Sequence, residues 1–472
     1  MQKVTSAVLV LILLLCALYF SIQSQFKQST EPEASEATTA GKSEIQVPPA
    51  KPEIDRPWAH QLSDIPADPK AHFGRLENGM RYIIYPNEEP PKRVSLRLHI
   101  EAGSLMEDDD QRGIAHFLEH MMFNGTENYD ADELIPEMQR LGIAFGAHAN
   151  AYTSFDETVY MLDLPDLKEE TVDLTFNVMR DFCDGALLTK EEIDKERGVI
   201  IAEKVSRDDV RTRLMKQQFQ QLMPDSKISH RFPIGLEKVI KNAPRERFVD
   251  FYESYYIPQR MTFVVVGDVD VASMEKRIID TFGSLTNPEE PGEDAELGRI
   301  SPPESLQAAI FQDPEVDETD VSLLLARTHE PKPDSRENRI ELLKLQVANA
   351  IIGRRFERIS KEKDSPVSSG YSYKSTWFQA VDFGSIGVTA ADDRWQDVVP
   401  IVENEFRRVM EHGFLPSELE EVKSNLINAA KQAVERKPSR KSDSLATGIA
   451  GSLNDMTVFT TPETDLAIIE EA

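Results

Sequence analysis

From about residue 73 the chain alternates between two kinds of run. In some, every second residue is apolar, as in a strand with one buried face; in others, apolar residues recur every three or four positions, as in a helix with one buried stripe. Residues 76–85 read as strand, Asn78-Gly79 turn, strand. Residues 94–100 alternate, which predicts a half-buried strand with His99 on its solvated side. Residues 113–123 and 129–140 have helical spacing, and 143–152 and 158–164 read as strands joined by a turn at Ser154-Phe155-Asp156. A helix is expected over 172–182. Thr189-Lys190-Glu191-Glu192 is a capping box that opens another, reaching Glu203 and on to Val205. Residues 248–256 (helix), 261–266 (apolar strand) and 271–282 (helix) follow. The pattern predicts an α+β domain over 73–286, a sheet packed with helices.

Residues 287–303 are dense in proline, glycine and acids, which marks a linker. Beyond it, over 304–472, a similar order returns: strands at 306–311 and 320–327, a long helix at 337–360, strands at 371–378 and 383–390, and helices at 398–410 and 417–434. This suggests a diverged duplication. Setting Ile193 against Leu419 aligns 189–203 with 415–429; Glu196 then meets Val422 and Glu203 meets Ala429.

The amino-terminal end departs from this pattern. Lys3 and the apolar run over 7–20 predict an export signal, within 1–26, that stays as an anchor or is cleaved as a signal peptide. Residues 27–72, rich in Glu, Ser, Thr, Pro and Ala over their first thirty positions, predict a flexible tether. The chain is thus expected to be exported, periplasmic or otherwise extracytoplasmic, and to meet a membrane only through that end. At 472 residues it is long enough for two or three domains, and a net charge of −29 argues against nucleic acid as a partner. Only Cys16 and Cys183 occur, and Cys16 lies in the apolar run, so the folded part has no internal disulfide.

The chemistry concentrates in one stretch, Gly113-Ile114-Ala115-His116-Phe117-Leu118-Glu119-His120. On a helix, His116, Glu119 and His120 share a face. Two imidazoles one turn apart can hold a zinc ion, and the carboxylate between them can reach a water on it. H-x-x-E-H inverts the commoner H-E-x-x-H order of zinc peptidases. A hydrolytic zinc site needs a third protein ligand. The capped helix offers Glu192, Glu196 and Glu203, the last two seven residues apart and so on one side, and spacing alone does not choose among them.

The stretch from Gly113 through Phe123 to Asn124-Gly125-Thr126 resembles the zinc site of the pitrilysin/insulinase metallopeptidases. Asn150-Ala151-Tyr152-Thr153-Ser154, the run from Lys195 through Glu203, Tyr256-Ile257-Pro258 and Val266-Gly267-Asp268 fit the same family. The resemblance covers about residues 73–472 and is closest to bacterial exported members whose full chains carry further homologous domains. It implies two pitrilysin-like domains, each a mostly antiparallel sheet packed with helices, the second inactive. It implies one zinc ion on His116, His120 and Glu203, Glu119 as general base and Glu196 as an essential carboxylate beside the metal. It also implies a substrate-binding edge strand at Asn150, Ala151 and Tyr152, with extended peptides as substrates. The arginine and tyrosine that a downstream domain supplies in that family have no counterpart here. The chain is therefore expected to be an amino-terminal half, completed by a carboxy-terminal half or a partner chain. A non-catalytic scaffold of the same fold is the alternative, and a zinc hydrolase of non-peptide substrates a third reading.

Overall fold

The structure is a computed structural model that describes residues 56–472. The expected export segment and residues 27–55 of the expected tether lie outside the described residues. Among the described residues no helix is long and apolar enough to cross a membrane.

The first sheet has six strands: β1 (His72–Arg75), β2 (Arg81–Pro86), β3 (Val94–Ile100), β4 (Ala149–Thr153), β5 (Thr158–Leu164) and β6 (Met261–Gly267). Their order is β1-β2-β6-β3-β5-β4; β2 and β6 run parallel and every other pair antiparallel. With it go helices α1 (Ile114–Met121), α2 (Leu134–Arg140), α3 (Glu169–Asp184), α4 (Lys190–Ser206), α5 (Val210–Leu222), α6 (Glu237–Asn242), α7 (Arg245–Tyr255) and α8 (Val271–Phe282). One sheet face, with Tyr82, Ile84, Leu96, Leu98, Phe263 and Val265, meets the core faces of α1, α3, α7 and α8. The second sheet is three-stranded and antiparallel, ordered β7 (Thr319–Thr328), β9 (Val381–Ala390), β8 (Val367–Trp377). Its helices are α9 (Arg336–Ser360) and α10 (Trp395–His412); α11 (Pro416–Arg436), α12 (Ser442–Asn454) and α13 (Pro462–Glu471) follow.

Several expectations need correction. The alternation in β3 predicts one wet face, yet all seven of its residues are buried, His99 included. The cause lies some 340 residues on in sequence: α12 lies across that face, packing Leu445, Ala446 and Ile449 on Ile83, Tyr85, Val264 and Val266. The second domain expected over 304–472 is thus not one packed unit, since 442–454 belongs to the first sheet. The tether expected up to residue 72 ends sooner. Trp58 and Ile65 are buried, and Asp68 accepts a hydrogen bond from the Tyr85 hydroxyl at 2.9 Å; two apolar anchors suffice to dock a segment of otherwise polar composition. Residues 306–311 form no strand. Leu306 and Ile310 face solvent, and an alternating run becomes a strand only where a ladder and a core receive it. The strand expected over 143–152 is only β4, because Gly142 and Gly146 take φ of 83° and 84° and turn the chain before Ala149.

A third cluster joins the two sheets: Leu105, Phe155, Phe219 and Ile300 pack with Ala326, Val381 and Phe383. Residues 287–303 carry no regular element but are pinned at Ile300, whose N–H donates to the Thr328 hydroxyl at 2.8 Å. The duplication register also has a structural counterpart. Thr189 and Leu415, aligned above, are the N-cap residues of α4 and α11.

Candidate active site

Helix α1 begins at a glycine because the chain enters it with φ of 106° at Gly113. The Gly235 backbone presses against it, and a Cβ on Gly235 would lie 2.2 Å from the Gly113 Cα. A helix start leaves main-chain N–H groups unpaired. Here Glu107, fully buried, accepts from Gly113 and Ala115 N–H at 2.9 Å each. Burial pushes its carboxyl up to about 8, against the pull of those two N–H groups. Ile114, Phe117, Leu118 and Met121 enter the core, with Phe117 edge-on to Phe248 of α7. His116, Glu119 and His120 are left facing α4 and β4.

Helix α4 starts at Thr189, whose hydroxyl accepts the Glu192 N–H at 3.3 Å. It is moored by Arg197 to the carbonyls of Ile240 and Ala243, and by Lys204 to the Gly235 carbonyl at 2.8 Å. This sets Glu196 and Glu203 opposite the histidines. Glu203 Oε2 lies 3.6 Å from His116 Nε2 and 3.2 Å from His120 Nε2. The ligand atoms of His116, His120 and Glu203 all fall within 4.8 Å of one another, the one such group among the described residues. Glu196 Oε1 lies 2.9 Å from His120 Nδ1, and its Oε2 accepts from Asn124 Nδ2 at 3.0 Å. Arg207 pairs with the other Glu203 oxygen at 2.5 Å.

The donor set fits a zinc-like ion. Two imidazole nitrogens and a carboxylate oxygen converge, and Glu203 Oε2, which faces both rings, is buried without a hydrogen-bond partner. Burial, with the neighbouring His120 charge, pulls His116 down to about 3, so its ring is neutral, the form that ligates. Burial would also lower His120, but its bond to Glu196 and the surrounding carboxylates leave it raised. Glu119 is raised by burial, against the hydrogen bond that its Oε2 accepts from the Thr153 hydroxyl at 2.7 Å.

Thr153 ends β4, the outermost strand, which among the described residues pairs only with β5. The outward groups of Ala149 are taken by the preceding loop, Gly146 N–H to its carbonyl at 2.8 Å and its own N–H to Ala144 at 3.2 Å. Strand periodicity then turns the main-chain groups of Ala151 and Thr153 to the same open edge. Among the described residues the Ala151 N–H meets only the Asn150 side-chain oxygen, at 2.9 Å. Asn150 and Tyr152 are exposed, with the Tyr152 hydroxyl on Glu157 at 2.9 Å.

Residues 82–228 match the family model described as Insulinase (Peptidase family M16), and 242–426 the one described as Peptidase M16 inactive domain. The first half of the periplasmic protease PqqL from Escherichia coli superposes with a TM-score of 0.80 at 30% identity, covering 86% of each chain. The chain belongs to the insulinase family, M16. Among curated relatives, the probable zinc protease PqqL of Escherichia coli is 32% identical over 404 residues, which is 84% of this chain and 43% of that protein. The chloroplastic stromal processing peptidase of Pisum sativum is 32% identical over 253 residues, 53% of this chain and 19% of that one. Pitrilysin shares the fold, with a TM-score of 0.63 at 18% identity. The match spans less than half the length of the PqqL proteins and of the stromal processing peptidase.

The structure brings together His116, Glu119, His120, Glu196 and Glu203, and sets Asn150, Ala151 and Tyr152 on an open edge beside them. Glu192, the third candidate on α4, pairs with Lys195 on the helix surface instead. Sequence reasoning missed Glu107, Asn124, Thr153 and Arg207. Asn124 and Thr153 sit inside the motifs that carry the resemblance; Glu107 heads an acidic run that reads as solvated surface.

Proposed function

We propose that this M16 chain is the catalytic part of a zinc-dependent peptidase acting on extended peptides outside the cytoplasm. The observation that carries the reading is the convergence of His116, His120 and Glu203 with Glu119 one helical position from His120. His116, His120 and Glu203 would hold the metal. Zinc, when bound, supplies a Lewis acid that brings the pKa of water toward neutrality. Glu119 is the general base; Thr153 holds one of its oxygens, which orients the carboxylate to take a proton from water and pass it to the leaving amine. Glu196 fixes His120 by accepting its Nδ1–H, which leaves Nε2 free to ligate. A peptide adds to the open edge of β4 through the main-chain groups of Ala151 and Thr153, so affinity comes without much demand on sequence. The neighbours named as zinc proteases support the reaction class, and the periplasmic one supports export. The first domain is taken as 73–286 together with the docked segment around Trp58 and with α12, joined by 287–303 to the second sheet and its helices. A carboxy-terminal half or partner chain would complete the substrate chamber.

The test is cleavage of an unstructured peptide library by the zinc-loaded chain beside Glu119→Gln, with zinc measured in both. Cleavage by the parent alone, at equal zinc content, supports the reading. Zinc binding without cleavage by either would replace it with the scaffold reading, which the match to 43% of the Escherichia coli protein's length favours as the alternative.

A further inference from the structure

The hairpin between β8 and β9 closes through Phe378 and Gln379, both in the left-handed region at φ of 54° and 49°. Residues with a Cβ disfavour that region, and tight hairpins that need it use Asn-Gly or Asp-Gly. A phenylalanine held there is held by what it touches. Its ring centroid is 4.3 Å from that of Phe155, in the turn that follows β4. The hairpin behind it is stiffly built. Asp382, one pair in from the turn, accepts from the Thr376 hydroxyl at 2.9 Å and from Arg327 at 3.1 Å, and it meets His329 Nδ1 at 3.0 Å. Trp377 stacks on Phe383 at 4.7 Å and lies 5.4 Å from Phe219 of α5.

The turn that receives Phe378 is the anchor of the β4 end. Ser154 N–H donates to Glu157 O at 2.8 Å, and Phe155 O accepts from Leu105 N at 2.8 Å. Two residues before Phe155, Thr153 holds Glu119. Contacts from beyond residue 304 reach this turn at Phe378 and at Asn454, whose side chain is 3.3 Å from Asp156 Oδ2.

We propose that Phe378, from the sheet matched by the inactive-domain model, is a positioning residue for the active site: seated on Phe155, it holds the end of β4 in register to receive peptide and keeps Thr153 on Glu119. The catalytic part of this inference rests on the peptidase reading above. It is tested on the full chain with Phe378→Ala, Phe378→Tyr and a control, Tyr373→Ala, which removes an aromatic of the same hairpin that packs on Tyr371 and Phe383. Hydrogen exchange at 150, 152 and 154, the inward amides of β4 and its turn, is expected to speed up about tenfold in Phe378→Ala. The β3 amides and zinc content should not change. Phe378→Tyr should restore slow exchange, and Tyr373→Ala should leave it at the parent rate. In the cleavage assay Phe378→Ala should lower kcat/KM about tenfold, through KM and kcat together. Unchanged exchange at 150–154 in Phe378→Ala, or an equal effect from Tyr373→Ala, would overturn the proposal. A parent chain that cleaves nothing would overturn the peptidase reading instead, and the exchange measurement would still decide whether Phe378 holds the strand.

Discussion

Replacing Glu196 with alanine, with His116, His120 and Glu203 left in place, isolates the worth of one hydrogen bond to the ring of His120, a proposed metal ligand. Glu196 bonds His120 Nδ1 at 2.9 Å through one oxygen and Asn124 at 3.0 Å through the other. It is half-buried, so water replaces it only in part. A hydrogen bond to a charged group in such a setting contributes about 1.5–3 kcal/mol. Loss of the partner that fixes a metal-ligating histidine typically lowers affinity about 10–100-fold, equivalent to about 1.4–2.8 kcal/mol. The two routes agree. Without Glu196 the His120 ring loses the bond that favours Nδ1–H, and Nε2, 3.2 Å from Glu203, is no longer committed to the metal side. Glu196→Gln keeps one acceptor for Nδ1–H and must reorient Asn124, so its loss should be tenfold or less. Zinc affinity measured by competition with a chromogenic chelator separates these values. An alanine variant that binds zinc within twofold of the parent would refute the argument, since His120 would then be held by packing alone.

Three further outcomes are expected. Glu107→Ala leaves the Gly113 and Ala115 N–H groups buried without an acceptor and should cost about 2–4 kcal/mol in denaturant unfolding of the metal-free chain, whereas Glu107→Gln keeps the acceptor oxygen. Burial raises the folded-state pKa of Glu107 to about 8 despite Arg231 and Arg112 nearby, so its contribution is fully present below about pH 4.5 and lost as pH rises through 8. The parent should therefore lose more stability than Glu107→Gln between pH 5 and pH 9, and parallel profiles would contradict this. Ala151→Pro removes an N–H that pairs with no strand and should raise KM for peptides about tenfold while the thermal midpoint moves little; an unchanged KM would place the peptide elsewhere. In the second sheet's helices, Arg355 is buried between Glu405 and Glu418, at 2.6 Å from each. Arg355→Ala should cost about 3–5 kcal/mol by stranding two buried carboxylates, read from the denaturant midpoint, and a loss below about 1 kcal/mol would refute that reading.

Local chemistry was legible in the sequence where one element supplies it. The spacing of His116, Glu119 and His120 defines a face of α1 whatever lies around it, and the cap at Thr189 locates α4 to within a residue or two. The choice of Glu203 over Glu192 was not legible from spacing, because it depends on the angle at which α4 crosses α1, and Arg197 and Lys204 set that angle through carbonyls about 30–45 residues away. Glu107 gave no signal, since a helix cap that acts from six residues upstream through a loop has no fixed spacing. His99 misled because alternation reports the chain's own polarity and not what a distant helix later covers. Residues 306–311 misled for the converse reason, with a strand-like pattern and no ladder to join.

The same long-range contacts bear on how the inactive-domain match should be understood. Every side chain proposed to touch metal or substrate lies between residues 116 and 203, yet those residues are not held by their own domain alone. The far face of the first sheet exposes Ile83, Tyr85, Val264 and Val266 unless α12 covers it, and Arg97, buried in β3, reaches the Asp443 carbonyl at 3.3 Å on the same helix. Burying a side chain of this size contributes about 1.5–3 kcal/mol, and a domain's whole margin is about 5–15 kcal/mol. A chain cut at residue 304 would thus forfeit much of its stability before any ligand was disturbed. The residues beyond 304 thus stabilise the first sheet from behind through α12 and, on the proposal above, steady its open edge through Phe378.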